Sequence, residues 1–457
     1  MNIIVNFRKL SPVKLIVFSF LASIVIGTCL LHLPFSYKGE VAPSFIDTLF
    51  ISTSSVCVTG LSMFDTWSQW TFFGQLIMMI LIQIGGLGLV SFTTGFTLLL
   101  KRKLNIRNLQ LAQQYTSGNL IDIPKLLKTI LFFSLSCELI GASLLAIRFI
   151  PQFGVYGAWI SIFTAVSAYC NAGFDLLGFL SPFGSLYSYY NDALVSLVVA
   201  SLVIIGGIGF IVVVDIYSCS VKKIKDVNKH APLSIQSKIV LQLTCILLVI
   251  GTVLFFTFEY NNTLKSMSFF EKLNVSFFQS TVARTAGFST VYIGEESDIM
   301  KLFTIILMFI GAAPSSTAGG IKVTTFTILI CTVLSVLKGN EDTLIKHHRI
   351  DKLTVYKAIS VISLSLLAVF ACTCVLEIAE APKHLSTIDI LFEVVSAFGT
   401  VGLSAGITGF LTDISKISLI FLMFFGRVGP ISLVYALTIK HSHRKNSILP
   451  EGKIIVG

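Results

Sequence analysis

Eight long apolar runs, separated by polar segments, form the main pattern of this sequence. They cover approximately residues 13–33, 71–100, 124–150, 191–218, 236–260, 299–337, 352–380 and 415–440. A helix needs about 20 apolar residues to cross a bilayer whose apolar core is about 30 Å thick. The pattern therefore predicts eight membrane-spanning helices.

A shorter apolar segment lies between the two runs of each consecutive pair, for example at residues 45–56 and 388–398. At about 1.5 Å per residue such a segment is too short to cross the membrane as a helix. We expect these segments to be re-entrant half-helices. The predicted unit is a span, a half-helix, a loop and a second span, and it occurs four times.

A small glycine motif follows each predicted half-helix. The four copies read SSVCVTGLS (54–62), SAYCNAGFD (167–175), TVARTAGFS (281–289) and SAFGTVGLS (396–404), and their glycines are 113, 114 and 115 residues apart. In every copy Phe stands ten residues before the glycine, and Ser or Thr stands six residues before it. Matches at one register indicate internal repeats. We place the repeats at residues 1–105, 106–230, 231–340 (with a broken second span) and 341–457.

The composition changes how the charge is interpreted. The chain has 457 residues, of which 54% are hydrophobic and only 12% charged, whereas soluble domains have about 25% charged residues. The net charge of +10 does not indicate nucleic-acid binding, because Lys and Arg cluster in segments that alternate with the glycine motifs, as in cytoplasmic loops. We expect both termini in the cytoplasm and the glycine loops open to an acidic outer face that attracts cations.

Four equivalent loops around one pseudo-fourfold axis can line a pore with backbone carbonyl groups, which replace the hydration shell of a cation. Glycine allows the positive φ angles that this geometry needs, and the C-terminal ends of the half-helices direct partial negative charge to the centre. The motifs contain no ring of Asp or Glu, which argues against a divalent ion. The predicted filter residues are Val58, Thr59, Gly60, Asn171, Ala172, Gly173, Thr285, Ala286, Gly287, Thr400, Val401 and Gly402.

The stretches SVCVTGLS, YCNAGFD, ARTAGFS and FGTVGLS resemble the four pore loops of the Trk/Ktr/HKT superfamily of potassium transporters, and the resemblance covers nearly the whole chain. With four repeats and no additional leading helix pair, the chain is most similar to the KtrB membrane subunits of bacteria. The resemblance implies that each motif glycine belongs to a K⁺ selectivity filter. That family links Ser at the first of these positions to sodium preference, so Gly60 implies potassium.

The resemblance also implies the setting of the protein. It implies a homodimer in the bacterial cell membrane, with one pore in each protomer. It further implies a cytosolic ring of RCK-type subunits (KtrA) that binds ATP or ADP, and a role for Na⁺ in coupling or activation. We expect K⁺ as the transported ion and no organic cofactor in this chain.

The run at residues 299–337 is too long for one straight crossing, since 39 helical residues would extend about 58 Å. Its middle contains one Pro and three Gly, which interrupt helices. A kinked span and a loop across the pore both fit this pattern. The resemblance implies the loop, acting as an intramembrane gate formed by Gly311, Ala312, Ala313, Pro314, Ser315, Ser316, Thr317, Ala318, Gly319 and Gly320.

Basic residues within the apolar runs indicate function, because a charge inside the bilayer is costly. We predict that Arg427 donates to carbonyl or hydroxyl groups of residues 315–317 and, together with Lys322, holds the gate. The structural alternative for Arg427 is a salt bridge to Glu138. Arg284, within the third glycine motif, is predicted to pair with an acid behind the filter.

Three other functions remain to be weighed. GLSAG (402–406) matches a hydrolase nucleophile pattern, but it is one copy of a repeated motif without the required strand–turn–helix context, so we expect no enzyme. A cation-coupled secondary transporter with alternating access also has repeats and broken helices, although usually two repeats, often inverted. A membrane subunit that binds partners without conducting ions is the third possibility. Four parallel units favour a pore.

Overall fold

The computed structural model describes residues 12–39, 42–88, 123–225, 233–346, 348–430 and 432–433. The predicted repeat boundaries at 105/106 and 230/231 lie outside these residues, as do the ends of the predicted runs at 100 and 440 and most of the predicted basic segments. The fold class is confirmed, because the described chain is predominantly helical. One antiparallel pair of short strands, β1 (Leu344–Ile345) and β2 (His348–Arg349), accompanies the helices.

The helices follow one another in a regular order. They are α1 (Pro12–Leu31), α2 (Phe45–Cys57), α3 (Thr66–Gln69), α4 (Phe72–Leu87), α5 (Ile123–Phe153), α6 (Val155–Tyr169), α7 (Ala193–Ile208), α8 (Phe210–Lys225), α9 (Ile235–Glu259), α10 (Phe269–Val282), α11 (Asp298–Phe309), α12 (Val323–Leu337), α13 (Lys352–Glu380), α14 (Thr387–Gly399) and α15 (Asp413–Val428). Single turns of 3₁₀-helix cover Tyr187–Tyr189, Ile293–Glu295, Ala381–Lys383 and Thr408–Phe410.

The first helix of each repeat is long and apolar enough to cross a membrane. These helices are α1, α5, α9 and α13, and their qualifying stretches are Lys14–Leu31, Leu127–Phe153, Ile235–Glu259 and Lys352–Lys383. Much of their surface is exposed and apolar, as at Leu139 and Ile378. Such a surface is expected where a helix faces lipid rather than water.

In each repeat the helix that begins the second span is shorter than the apolar run that predicted it, whereas the sequence predicted an interruption only in the third repeat. Helices α4, α7, α11 and α15 contain 16, 16, 12 and 16 residues. Three of them end at glycines with φ of +77° (Gly88), +93° (Gly209) and +90° (Gly429), a region that residues with a Cβ atom rarely adopt. At Gly209 the chain turns by 91° into α8. Residues 310–322 separate α11 from α12.

The half-helices are α2, α6, α10 and α14, with 13, 15, 14 and 13 residues. Each packs against the second helix of the preceding repeat: α6 against α4, α10 against α7, α14 against α11, and α2 against α15. The last of these contacts joins the fourth repeat to the first. The four repeats therefore close into a ring, with the buried ends of the half-helices in its centre.

Buried glutamates join the first and second helices of the third and fourth repeats. Glu259, at the end of α9, accepts hydrogen bonds from the backbone amide (2.9 Å) and hydroxyl (2.6 Å) of Ser297, immediately before α11. Glu380, at the end of α13, accepts the same pair of bonds from Thr412, immediately before α15, at 2.7 and 2.8 Å. The carboxylate thus serves as the N-terminal cap of the neighbouring helix.

We expect Glu380→Ala to destabilise the protein by about 3 kcal/mol, because its removal leaves the Thr412 amide and Lys383 without their buried acceptor. Thermal unfolding of the detergent-solubilised protein measures this effect. Asp413→Ala is the control. Asp413 lies beside Thr412 at the start of α15, is exposed and pairs with Lys416, so it should contribute less than about 1 kcal/mol to stability. Equal melting temperatures of the two variants would contradict the capping role.

Candidate functional site

Each half-helix ends in a backbone turn that the sequence only partly predicted. The four motif glycines have φ of +96°, +72°, +74° and +90° in chain order, as expected. The residue two positions before each glycine is also left-handed, although none of these four is Gly and three are β-branched, which is a costly conformation. They are Val58 (φ +57°), Asn171 (+62°), Thr285 (+74°) and Thr400 (+50°).

Hydrogen bonds to the half-helix fix these turns, which we call the motif loops (residues 58–60, 171–173, 285–287 and 400–402). In the first loop, the Thr59 amide donates to the Ser54 carbonyl (2.8 Å) and the Gly60 amide to the Ser54 hydroxyl (3.1 Å). The fourth loop repeats both bonds on Ser396, at 2.8 and 3.1 Å. The hydroxyl residue six positions before the glycine therefore caps the loop in these two repeats.

The motif loops touch one another in cyclic order. A Cβ atom placed on any motif glycine would collide with the carbonyl oxygen of the residue just before the next repeat's glycine, and the fourth loop meets the first in the same way. Glycine is thus required at all four positions, because the backbones of neighbouring loops approach closely there and because the φ angles are positive. The distances from the ideal Cβ to the oxygen are 2.4 Å (Gly60 to Ala172), 2.8 Å (Gly173 to Ala286), 2.6 Å (Gly287 to Val401) and 2.1 Å (Gly402 to Thr59).

A cavity of about 570 Å³, here called the polar cavity, lies against the four motif glycines. Its lining includes the carboxylates of Asp65, Asp175 and Glu295, together with several Ser and Thr hydroxyl groups. No Lys, Arg or His is found among the described residues that line it. This charge distribution favours the approach of cations.

The loop at residues 310–322 packs against the end of α14 and the start of the fourth motif loop, and none of its residues lines the polar cavity. An ideal Cβ on Gly319 would be 2.2 Å from the Thr400 hydroxyl oxygen, and one on Gly320 would be 3.2 Å from the Cα of Gly399. The predicted loop is therefore present, and the alternative of a merely kinked span is wrong.

Backbone hydrogen bonds attach this loop to the break between α7 and α8. The amides of Ala313 and Thr317 donate to the carbonyls of Gly207 (3.1 Å) and Gly206 (3.3 Å), and the Phe210 amide donates to the Ser315 carbonyl (2.9 Å). The two broken second spans therefore support each other.

Two cationic side chains hold the same loop through carbonyl groups. Arg427 donates to the carbonyl oxygens of Thr317 and Gly85, so it joins the loop to the end of α4. Lys322 donates to the carbonyls of Ala318 (2.7 Å) and Gly319 (3.3 Å). The predicted contact between Arg427 and a loop carbonyl is confirmed. Glu138, the alternative partner of Arg427, instead accepts a bond from Gln83 at 2.9 Å.

The family model TrkH, described as "Cation transport protein", matches residues 11–448. The chain belongs to the TrkH family. Two similar relatives are the Ktr system potassium uptake protein B of Bacillus subtilis (38% identical, covering 99% of this chain and 98% of that protein) and the potassium/sodium uptake protein NtpJ of Enterococcus hirae (38%, 98% and 98%). The crystal structure of the potassium transporter TrkH from Vibrio parahaemolyticus has the same fold, with a TM-score of 0.70, 17% identity, and coverage of 92% of this chain and 84% of that one.

Membership of the TrkH family confirms the resemblance and the architecture of a multi-pass membrane protein. It also confirms that the chain is a transport protein and not an enzyme, so the hydrolase interpretation of residues 402–406 does not apply. In the structure Ser404 contacts Glu393 and Thr408, which are not the histidine and aspartate of a hydrolytic triad.

The predicted acidic partner of Arg284 is wrong in this TrkH-family chain. The side chain is buried and donates to the hydroxyl of Thr244 (3.4 Å), and no carboxylate lies within ion-pair distance of it in the described part of the chain. Arg284 follows the last turn of α10, where unpaired carbonyl groups carry partial negative charge. In this position the partial charge of the helix end favours a cation.

Proposed function

We propose that the chain is the potassium-selective, ion-translocating subunit of a bacterial potassium uptake system. The observation that carries this proposal is the closed ring of motif loops, in which each glycine contacts the carbonyl group of the next loop. Backbone carbonyls of residues 58–60, 171–173, 285–287 and 400–402 would replace the hydration shell of K⁺. The relatives named potassium uptake proteins support the choice of ion.

The polar cavity forms the outer entrance to this filter, and the 310–322 loop is the gate on the cytoplasmic side. The orientation is supported by the alternation of basic segments with the glycine motifs along the sequence. The loop packs directly against the motif loops at Thr400 and Gly399. It must therefore move when ions pass, and Arg427 and Lys322 are the side chains that resist this movement.

The assembly is a homodimer in the bacterial cell membrane, with cytoplasmic termini and one pore in each protomer. A cytosolic RCK-type ring of KtrA subunits that binds ATP or ADP docks on the cytoplasmic segments. The name "Ktr system" of the Bacillus relative supports a system with several components. The name of NtpJ, a potassium/sodium uptake protein, supports a role for Na⁺ as a coupled or activating ion.

Uptake measurements in cells that lack their own potassium uptake test this function. We expect the chain, expressed with and without a KtrA-type partner, to favour K⁺ over Na⁺ influx. In Gly60→Ser the added Cβ meets the Ala172 carbonyl at 2.4 Å, so the cage of oxygen atoms is distorted. We therefore expect the K⁺ preference to fall about tenfold or more, since a change of about 1.4 kcal/mol is enough for this.

Gly39→Ser is the matched control for this experiment. Gly39 has nearly the same φ (+97°) as Gly60, but an added Cβ at Gly39 has no neighbour within 4 Å. Its selectivity should remain that of the wild type. If potassium uptake is indifferent to Gly60, the alternative is a cation-coupled secondary transporter with alternating access, whose ion site lies elsewhere among the broken helices.

A further inference from the structure

The four repeats share a side-chain turn just beyond the motif loops. The residue two positions after each motif glycine accepts a hydrogen bond from the backbone amide two positions further on. In three repeats this residue is Ser, and in the second repeat it is Asp, so a hydroxyl group is sufficient for the turn. The bonds are Phe64 to Ser62 (3.4 Å), Leu177 to Asp175 (2.9 Å), Val291 to Ser289 (3.3 Å) and Gly406 to Ser404 (2.9 Å).

The carboxylate of Asp175 therefore carries a negative charge that its turn does not need. The half-buried side chain lines the polar cavity, two residues after Gly173. One of its oxygen atoms accepts the Leu177 amide, and the other has no hydrogen-bond partner among the residues that the structure describes.

The other charged groups near the polar cavity are placed differently. Asp65 faces Asp175 from the start of α3, but it accepts bonds from the amides of Ser68 (2.8 Å) and Phe183 (3.5 Å). Lys38 is close enough to Asp65 to interact with its charge. Glu295 is exposed at the cavity wall. Asp175 is thus the acid nearest in sequence to a motif glycine, and it accepts fewer hydrogen bonds than Asp65 does.

We propose that Asp175 sets the affinity for the entering potassium ion by placing a fixed negative charge at the outer end of the filter. This inference rests on the proposed function, because it takes the polar cavity to be the outer entrance. An unpaired carboxylate in a cavity with low-dielectric walls raises the local concentration of cations. It acts before the filter and should change affinity without changing selectivity.

The test is the kinetics of K⁺ influx in Asp175→Ser, which carries the residue of the other three repeats, and in Asp175→Asn. Removal of one charge at several ångströms from the ion should raise KM about 3- to 10-fold with little change in maximal rate. The difference from wild type should shrink in concentrated impermeant salt, which screens the charge.

Relocation of the charge separates this role from a structural one. The double variant Ser62→Asp with Asp175→Ser moves the carboxylate to the equivalent position of the first loop, which also lines the polar cavity. We expect it to restore a low KM. A KM for K⁺ in Asp175→Ser equal to that of the wild type would overturn the proposal.

Two further readouts complete the test. If Asp175→Ser fails to reach the membrane, a KM in Asp175→Asn equal to that of the wild type also overturns the proposal. The Gly60→Ser measurement reports on the filter independently. If Gly60→Ser does not change the selectivity but the substitutions of Asp175 change the KM, the proposed filter would be rejected and the role of Asp175 retained.

Discussion

Substitution of Gly402 by Ala is expected to abolish potassium uptake, with a loss of at least 100-fold. An added Cβ would lie 2.1 Å from the Thr59 carbonyl oxygen and 2.9 Å from the Cα of Gly60. Both neighbours are backbone atoms of the first motif loop, which cannot move without displacing the proposed filter carbonyls. The φ of +90° adds strain for any residue with a side chain. Influx of K⁺ under saturating conditions, normalised to the protein in the membrane, measures the loss.

Gly406→Ala separates the collision from the backbone strain. Gly406 lies four residues further along the same loop with φ of +91°, but an added Cβ there meets no atom within 4 Å. We expect this variant to retain most of its uptake. Among the motif glycines, the damage from Ala should follow the distance to the facing carbonyl: Gly402 first, then Gly60, Gly287 and Gly173. Full activity of Gly402→Ala would mean that the closed ring of motif loops does not lie on the ion path.

The sequence predicted the glycine positions because their requirement comes from local chemistry. A position that needs positive φ and close backbone approach requires glycine. Because the motif occurs four times, the common register of these glycines could be recognised in the sequence. The left-handed Val58, Thr285 and Thr400 left no such signal. Their conformation is imposed by the contacts around a closed ring, which compensate the strain, and β-branched residues normally indicate extended backbone.

The breaks in the second spans were predicted only in part. The patches IGGLG, IGGIG, IGAAP and FGRVG occupy equivalent positions, yet the sequence indicated a break only where Pro and further glycines follow, after Gly311. The 91° turn at Gly209 was not predicted, because the sequence on both sides of it is uniformly apolar. A hydropathy profile gives the length of an apolar run but cannot distinguish a straight helix from a bent one. The position of α7 against the 310–322 loop depends on contacts between repeats, which no local pattern encodes.

Replacement of Arg427 is expected to raise potassium flux when the chain is expressed without the proposed KtrA-type partner. Its planar guanidinium donates in two directions, to Thr317 of the 310–322 loop and to Gly85 at the end of α4, and thereby holds the loop beneath the motif loops. Charge-assisted hydrogen bonds of this kind contribute about 1.5–3 kcal/mol each. Loss of one of them shifts the balance between held and released loop by roughly tenfold or more.

Comparison of Arg427→Lys with Arg427→Gln identifies how the residue acts. Lysine keeps the positive charge but cannot reproduce the two-directional donation of a guanidinium, so both variants should raise flux by a similar factor. Arg148→Gln, which removes a half-exposed arginine paired with Asp192, is the control and should leave flux unchanged. A wild-type flux in Arg427→Lys with a raised flux in Arg427→Gln would assign Arg427 the role of an electrostatic barrier instead. Unchanged flux in both would mean that the loop is not the gate, since the link that Arg427 makes between Thr317 and Gly85 could then be lost without consequence for the ion.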